Sequence, residues 1–302
     1  MTISIQTDVA LSEKTTYKIG GLARYYSQPA SRREVAESLQ HALKINVPIF
    51  ILGRGSNVLV SDKGWPGMVV DVSSRFETIE WRDAFALCQS GALLNRLVLE
   101  MLKRGMRGLE KLGGIPGSIG GALVMNAGAF GQCVSDCLVS IDYLDFTDMN
   151  IHTVPAADLE AGYRTTIFKS KKACILSGQF RFSPDPGGEA KNVFDEIVSR
   201  RKSKHPLDLP NCGSVFRNIP GTPASVLIEQ CGLKGFQFGG AEVSLKHANF
   251  IVNRDRATAE DVRHVIVHIQ KTVFEKRGVL LEPEVVFVGE FAEPLFRSNG
   301  KI

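Results

Sequence analysis

Residues 112–128 combine closely spaced glycines with apolar residues, in the sequence LGGIPGSIGGALVMNAG. Glycine brings no side chain to bury, so a dense cluster indicates that the backbone itself approaches a ligand closely. Consecutive N–H groups in such turns form concave sites for anions. The segment therefore predicts a loop around a nucleotide diphosphate, anchored to a core by its apolar residues. The alternative interpretation is a tight structural corner.

A second glycine segment, GRGSN at 53–57, lies between two short apolar runs at 48–52 and 58–60 that are typical of buried strands. It lacks the third glycine and the following helix of a Rossmann fingerprint, and the sequence contains no G-x-x-x-x-G-K-[ST] phosphate loop. The phosphate site would therefore consist of loops between strands. Two such loops favour one large dinucleotide, such as FAD.

Basic residues at 200–205 (RRKSKH) end a predicted helix over 189–203. Cations at a helix C-terminus complement its dipole, at about 0.3–1 kcal/mol each, which explains two or three of them. Lys204 comes just before Pro206, beyond the predicted helix, and leads into the loop with Gly213 and Ser214. A lysine there is well placed to bind a diphosphate as a point charge.

Three other positions have both a structural and a chemical interpretation. Ser214 follows a glycine and is typical of a turn. Arg164 either extends over the surface at a strand end or presents its planar fork to a carboxylate. Glu282 and Glu284 would share one face of a strand, although Pro283 between them is also compatible with a solvated edge.

The sequence predicts no metal site. Glu260, His264 and His268 recur every four residues on a predicted helix, but its apolar residues point the opposite way, which favours a solvent-facing stripe. The six cysteines include no C-x-x-C pair, which favours reduced thiols in a cytoplasmic protein.

The elements that would position these residues are mixed helices and strands, which predicts an α+β fold, or a mixed α/β fold without simple alternation. Ser31 and Glu34 form a capping-box pattern at the start of a helix. The remaining predicted elements are a strand region at 78–90, a helix at 92–104 and strands at 139–146 and 173–182. Two prolines and two glycines at 183–188 (SPDPGG) predict a domain boundary there.

Composition excludes several classes of function. A net charge of +4 over 302 residues is mild, and no basic run is interleaved with aromatic residues, so we expect no nucleic-acid partner. No apolar stretch approaches 18 residues, so we expect no membrane span. The N-terminal residues lack a secretory pattern. The expectation is a cytoplasmic monomer.

Seven motifs occur in a fixed order along the chain, and together they resemble the UDP-N-acetylenolpyruvoylglucosamine reductase family. They are GRGSN at 53–57, GIPGSIGG at 114–121, NAG at 126–128, GYR at 162–164, GSVFRN at 213–218, KHANFIVN at 246–253 and LEPE at 281–284. The short spacing between Arg164 and Ser214 resembles the form of the family that lacks an inserted tyrosine loop. The resemblance implies an FAD-binding module of the vanillyl-alcohol-oxidase type over 1–186, with subdomains 1–73 and 74–186. A C-terminal α+β substrate domain would cover 187–302.

The resemblance also implies roles for individual residues. Arg164, Ser214 and Glu284 would be catalytic, and Glu282 structural. Tyr163, Lys204 and Asn218 would bind the UDP-sugar. The residues expected to bind FAD non-covalently are Gly53, Arg54, Gly55, Ser56, Asn57, Gly114, Ile115, Pro116, Gly117, Ser118, Gly120, Gly121, Asn126, Ala127 and Gly128.

The implied reaction is NADPH-dependent reduction, through FAD, of UDP-N-acetylglucosamine enolpyruvate to UDP-N-acetylmuramate, a precursor of peptidoglycan. Hydride would add to the terminal carbon of the enolpyruvyl group. Arg164 and Glu284 would then stabilise the enolate-like charge, and Ser214 would protonate the adjacent carbon. The alternatives are an FAD-dependent oxidase with the same module and a non-catalytic flavin-binding protein.

Overall fold

A computed structural model describes residues 3–292 and 294–297. The chain divides into two compact units. The first contains the described residues of Met1–Thr7, Tyr25–Arg54 and Gly67–Arg201. The second contains those of Asp8–Arg24, Gly55–Pro66 and Lys202–Ile302. Each unit is therefore built from segments that are discontinuous in sequence.

Three helices of the described chain begin at a residue whose side chain caps them. Ser31 accepts a hydrogen bond from the N–H of Glu34 at the start of the first helix. Thr258 and Asp261 form a reciprocal capping box at the start of the last, and Gly278 ends it in the left-handed conformation. The α-helices are α1 Arg32–Lys44, α2 Leu94–Lys103, α3 Ile119–Val124, α4 Glu189–Lys204, α5 Ala224–Gln230 and α6 Ala259–Arg277.

The strands are mostly short and are separated by turns and brief 3-10 helices. In chain order they are β1 Ile5–Ala10, β2 Leu22–Ser27, β3 Ile49–Leu52, β4 Val58–Val60, β5 Trp65–Asp71, β6 Ile79–Arg82, β7 Phe85–Gln89, β8 Met106–Arg107, β9 Gly128–Ala129, β10 Gln132–Cys133, β11 Leu138–Asp145, β12 Ile151–Pro155, β13 Ala173–Arg181, β14 Ser183–Pro184, β15 Gln237–Phe238, β16 Ala241–Val243, β17 Ile251–Asn253 and β18 Val286–Val288.

The first unit contains most of two sheets. A four-stranded sheet has the order β1-β2-β5-β3, and in it β3 runs parallel to β5. A five-stranded antiparallel sheet has the order β12-β11-β13-β7-β6. Helix α1 packs its apolar face with the strands of the first sheet, and α2 and α3 pack with those of the second. Strand β3 of the first sheet leads directly into the GRGSN segment, whereas the segment at 112–128 follows a short 3-10 helix and includes α3.

The second unit has its own core. Helix α6 packs against the three-stranded sheet β15-β16-β17 and against α5. Strands β4 and β18 pair in parallel, with Val58 opposite Val286 and Val60 opposite Val288. This pairing joins an early segment of the chain to its last strand.

The chain passes from the first compact unit to the second after Arg201, whereas the division between FAD-binding and substrate-binding domains at 186 stays a prediction. The proline–glycine segment does not separate the chain there, because β14 pairs with β8 and the Asp185 carboxylate accepts the N–H of Ala190. Phe194 of α4 packs so tightly on the first unit that a Cβ at Gly113 would lie 2.5 Å from its ring. Most of α4 therefore belongs with the first unit.

Two further expectations differ from the structure. Lys204 is the last residue of α4 and not part of the following loop. His264 and His268 are half-buried instead of solvent-facing, because their rings stack on Phe238 and Phe236 with centroids 3.7 and 3.9 Å apart. In the described part of the chain no cluster of His, Cys, Asp or Glu has the geometry to hold a metal ion.

Candidate functional site

The two glycine segments meet in the first unit. A Cβ at Gly53 would lie 2.3 Å from the Oγ of Ser118, a distance that real Cβ contacts essentially never show. Only glycine therefore allows this approach. The guanidinium of Arg54 donates to the carbonyl of Ser73 at 3.4 Å, which connects the GRGSN segment to the residues just after β5.

Most N–H groups at the start of α3 already have acceptors within the chain. Ile119 and Gly120 donate to the carbonyls of Ala92 and Ser90, and Gly121 donates to the Oγ of Ser118. Upstream, Gly114 donates to the side chain of Asn95. The nest of free N–H groups that the sequence suggested is therefore largely occupied, and these bonds rigidify the loop instead.

The outer surface of this loop is nevertheless open to a ligand. Gly114, Pro116 and Gly121 are exposed, and Ile115 and Gly117 are half-buried. At Gly121 a Cβ would meet only the Oγ of Ser118 within 4 Å, at 3.5 Å. The absence of side chains here lets a ligand such as the diphosphate of FAD approach the backbone closely. The residues present fit FAD in this respect.

Asn126 links the glycine loop to the turn that bears Arg164. It is buried and adopts φ 42°, and its amide donates to the carbonyl of Gly162 and accepts the N–H of Ser135. Ala127 is engaged through both its N–H and its carbonyl. These bonds fix the position of the turn at 162–165 relative to the loop.

Arg164 lies in that tight turn, not at a strand end. Gly162 and Thr165 exchange two backbone hydrogen bonds around it, and Arg164 itself has φ 58°. Its Nη2 donates to the carbonyl of Gly128 at 3.0 Å, and its guanidinium lies 5.0 Å from the ring centroid of the exposed Tyr163. The turn thus holds a cation beside the end of the glycine loop.

Ser214 and Glu284 lie on adjacent segments of the second unit. The N–H of Glu284 donates to the carbonyl of Val215 at 2.7 Å, immediately after Ser214. Asn249 fixes the Ser214 segment from its other side, through bonds to both the N–H and the carbonyl of Phe216. A hydroxyl and a carboxylate are therefore held on neighbouring backbones.

The two glutamates of the LEPE motif have different environments. Glu282 is exposed and lies 3.9 Å from the guanidinium of Arg217, whereas Glu284 is half-buried. Both Glu284 and Val285 donate to the carbonyl of Val215, which breaks the regular strand alternation. The carbonyl of Glu284 also accepts a hydrogen bond from the side-chain amide of Asn57, at the end of the GRGSN segment.

The remaining residues of that glycine segment belong to the second unit. Gly55 has φ 62°, and a Cβ there would lie 2.4 Å from the carbonyl oxygen of Lys14, so this glycine is required by packing. Ser56 and Asn57 are half-buried. The boundary between the two units thus falls inside the GRGSN motif, between Arg54 and Gly55.

Two parts of the chain match models of known protein families. Residues 23–154 match the model of an FAD binding domain, and residues 205–288 match that of the UDP-N-acetylenolpyruvoylglucosamine reductase C-terminal domain. The chain is 40% identical over 294 residues to the reductase of Synechococcus elongatus, covering 96% of both chains. It is 39% identical to that of Caldicellulosiruptor saccharolyticus, covering 100% of this chain and 97% of the relative.

The chain belongs to the UDP-N-acetylenolpyruvoylglucosamine reductase family. A solved structure of the reductase from Thermus caldophilus superposes with a TM-score of 0.82 at 31% identity and covers 95% of this chain and all of its own. The reductase is therefore an FAD-dependent oxidoreductase. The fold class is confirmed as an α+β FAD-binding module with a C-terminal reductase domain.

Around Lys204 the reductase has a cluster that the sequence did not reveal. Lys204 is exposed, and the adjoining His205 packs its ring against His247 and Phe250, with centroids 5.3 and 4.9 Å away. Burial, and then the charges of Lys234 and Lys204, lower the pKa of His247. The only sequence signal was the position of His247 inside the KHANFIVN motif.

Asn218 lies at the surface beyond this cluster. Its side-chain oxygen accepts the N–H of Ala224, the first residue of α5. This contact fixes the loop between Ser214 and α5.

The helices in the described part of the chain are too short or too polar to span a membrane.

Proposed function

We propose that this reductase converts UDP-N-acetylglucosamine enolpyruvate to UDP-N-acetylmuramate with NADPH as reductant, and that Arg164, Ser214 and Glu284 are its catalytic groups. The observation that supports these roles best is the 2.7 Å bond from the N–H of Glu284 to the carbonyl of Val215. It holds a carboxylate beside the segment of Ser214 independently of any ligand. A proton donor and a charged group on adjacent, fixed backbones suit a reaction that adds a proton to carbon.

FAD, when bound, supplies the hydride that adds to the terminal carbon of the enolpyruvyl group. Gly53 and the loop at 114–121 would hold its diphosphate, with Asn126 and Gly128 maintaining the shape of the loop. Addition of hydride leaves an electron pair on the adjacent carbon, conjugated with the substrate carboxylate. The protein must then stabilise that charge and deliver one proton.

Arg164 would stabilise the developing negative charge, because its guanidinium stays protonated and its fork matches a carboxylate. Its bond to the carbonyl of Gly128 orients it before the substrate arrives. Ser214 would donate its hydroxyl proton to the carbanionic carbon. A serine hydroxyl is a weak acid in water, but a carbanion is basic enough to accept its proton. The Ser214 alkoxide then regains a proton from water, and Glu284, on the adjacent segment, would assist this proton transfer.

Lys204, Tyr163 and Asn218 would bind the UDP-sugar. Lys204 supplies an exposed ammonium for the diphosphate. In this proposal FAD is bound mainly by residues before 187 and the sugar nucleotide by residues after it; the matches at 23–154 and 205–288 are compatible with that division. We further infer a cytoplasmic monomer, for which light scattering should give a mass near 33.0 kDa.

The decisive experiment compares Ser214→Ala with wild type in the two half-reactions, by stopped-flow absorbance of the flavin. Reduction by NADPH should stay near normal, because that step needs no proton from Ser214. Reoxidation by the enolpyruvyl substrate should slow by about 10²–10⁴-fold, the usual contribution of general acid catalysis. Ser214→Cys should recover part of the rate, since a thiol also donates a proton.

Ser170→Ala provides the matched control, because Ser170 is exposed and bonds only weakly to a neighbouring carbonyl. It should behave as wild type in both half-reactions. Wild-type reoxidation in Ser214→Ala would show that the proton comes from another group.

A further inference from the structure

Arg201, near the end of α4, has a guanidinium edge without acceptors. Its Nε and Nη2 atoms are fully buried and make no hydrogen bond with any described residue. No carboxylate of the described chain forms an ion pair with it. A charged group held out of water without acceptors is costly, so such an edge is expected to have a ligand.

The surroundings of this edge contain glycine backbone and another cation. A Cβ at Gly114 would lie 3.2 Å from the Cδ of Arg201, so α4 packs directly on the glycine loop. The guanidinium carbon lies 5.6 Å from the ring centroid of Phe130, two residues after the Gly128 carbonyl that binds Arg164. Burial, and next the charge of Arg164, lower the pKa of Arg201. Two arginines thus face one small region of the first unit.

The two unpaired atoms determine which kind of ligand would bind them. Nε–H and Nη2–H point in parallel from the same edge of a guanidinium, and this edge binds the two oxygens of a carboxylate or phosphate in bidentate fashion. Arg164, already bonded to Gly128, adds a second positive charge from the turn. Together they would suit an anion with two or more oxygens better than a neutral group.

We propose that Arg201 and Arg164 form a two-arginine site for a ligand oxyanion, with Arg201 binding it through Nε and Nη2. The proposal rests on the proposed function, in which two ligands bring such groups: the enolpyruvyl substrate has a carboxylate and FAD has a diphosphate. With a carboxylate bound, Arg201 would hold the group into which the enolate charge delocalises. With a diphosphate bound, it would anchor FAD to the glycine loop.

The test uses binding measurements that need no turnover. The substrate arm measures the affinities of the oxidised holoenzyme for UDP-N-acetylmuramate and for UDP-N-acetylglucosamine, which lacks the carboxylate, from perturbation of the flavin spectrum. The cofactor arm measures the affinity of the apoprotein for FAD from flavin fluorescence. Both are done for wild type, Arg201→Met and Arg201→Lys.

If a carboxylate is the ligand, Arg201→Met should lose about 10–100-fold in affinity for UDP-N-acetylmuramate and little for UDP-N-acetylglucosamine. If a diphosphate is the ligand, affinity for FAD should fall by a similar factor. Arg201→Lys keeps the charge but not the paired donors, so it should show a smaller loss of the same kind. If Arg201→Met does not fold, the affinities of Arg201→Lys are compared with those of wild type instead.

Arg200→Met is the matched control. Arg200 is exposed, precedes Arg201 on α4 and lies at 5.2 Å from the same Phe130 ring, and its replacement should change neither affinity. Folded Arg201 variants with wild-type affinity for both FAD and UDP-N-acetylmuramate would overturn the proposal. Failure of the proposed function is distinguishable, since wild type itself would then show no preference for UDP-N-acetylmuramate over UDP-N-acetylglucosamine.

Discussion

At the scale of single residues, position 53 requires glycine because of a close contact that composition alone could not reveal. Gly53→Ala would place a methyl group 2.3 Å from the Oγ of Ser118, which caps α3, so one of the two segments must move. Overpacking of this kind costs about 1–3 kcal/mol. We expect a lower melting temperature and weaker FAD binding, measured by flavin fluorescence on the refolded apoprotein.

The control for this prediction is Gly187→Ala, because the nearest atom to a Cβ at Gly187 is 3.6 Å away and belongs to the side chain of Glu189. This variant should keep the stability and FAD affinity of wild type. Equal FAD affinity in Gly53→Ala and wild type would mean that the contact between the two glycine segments does not shape the cofactor site.

Lys204 allows a prediction with two independent readouts. Lys204→Ala should raise the KM for the UDP-substrate by about one to two decades, since a charged contact to phosphate contributes roughly 1.5–3 kcal/mol. Flavin reduction by NADPH should not change. Because the charge of Lys204 lowers the pKa of His247, the variant should also raise that pKa, measured by NMR titration of the ring.

Lys202→Ala, which removes another exposed lysine from the same helix, is the matched control and should leave KM unchanged. An unaltered KM in Lys204→Ala would show that Lys204 does not bind the substrate and only complements the helix dipole.

Residue patterns indicated which side chains are candidates for the site, but not the environment of each side chain. The LEPE motif suggested that Glu282 and Glu284 share a strand face, but neither residue belongs to a regular strand, and Glu282 is exposed whereas Glu284 is half-buried. That irregularity depends on a partner segment far away in sequence, so local alternation could not reveal it. The unpaired edge of Arg201 also depends on packing between distant segments. In the sequence, Arg201 lies within a basic run that the helix dipole already explains.

At the scale of elements, local sequence signals indicated where a helix starts, but not where the chain passes from one compact unit to the other. Ser31 caps α1 as its sequence indicated. The segment at 183–188 has strong breaker residues, yet its pairing with Met106 and Arg107 and the packing of Phe194 keep α4 with the first unit. Breakers report only local conformation, whereas a domain boundary depends on which core the following helix contacts.

One cross-element network predicts a pH dependence. The carboxylate of Asp142 on β11 accepts bonds from Arg32 of α1, Thr153 of β12 and Ser177 of β13. Burial alone would raise the pKa of Asp142, but the bonds from Thr153, Arg32 and Ser177 outweigh it and lower the pKa below its ordinary value. A carboxyl with a depressed folded pKa stabilises the fold fully above its unfolded pKa of about 3.9 and loses that contribution as pH falls through the folded pKa.

Asp142→Asn should therefore reduce the free energy of unfolding at pH 7 by up to about 1 kcal/mol, since both charged partners are partly exposed. Its urea midpoint should also fall less steeply than that of wild type between neutral pH and about pH 3, below the unfolded pKa. Asp158→Asn, at an exposed position, should follow the wild-type curve. Parallel curves for Asp142→Asn and wild type would show that the network does not contribute to acid stability.

At the scale of the whole molecule, FAD should act as a structural ligand. A ligand that binds only the folded state stabilises it by about 2.7 kcal/mol at a concentration 100 times its Kd. For a chain of this size we expect the melting temperature to rise by several degrees on adding FAD to the apoprotein. Calorimetry at several FAD concentrations checks this, and a melting temperature independent of FAD would contradict it.

The interleaving of segments in the second unit has a consequence for biosynthesis. Asn57 bonds to Glu284 across 227 residues of chain, and β4 pairs with β18 at the same place. Ribosomes add about 5–20 residues per second, so the early strand must wait roughly 10–45 s for its partner to be translated. The first unit has all of its segments once Arg201 has emerged. We therefore expect vectorial folding on the ribosome, with residues 8–24 and 55–66 exposed to chaperones and proteases until the last strand leaves the exit tunnel.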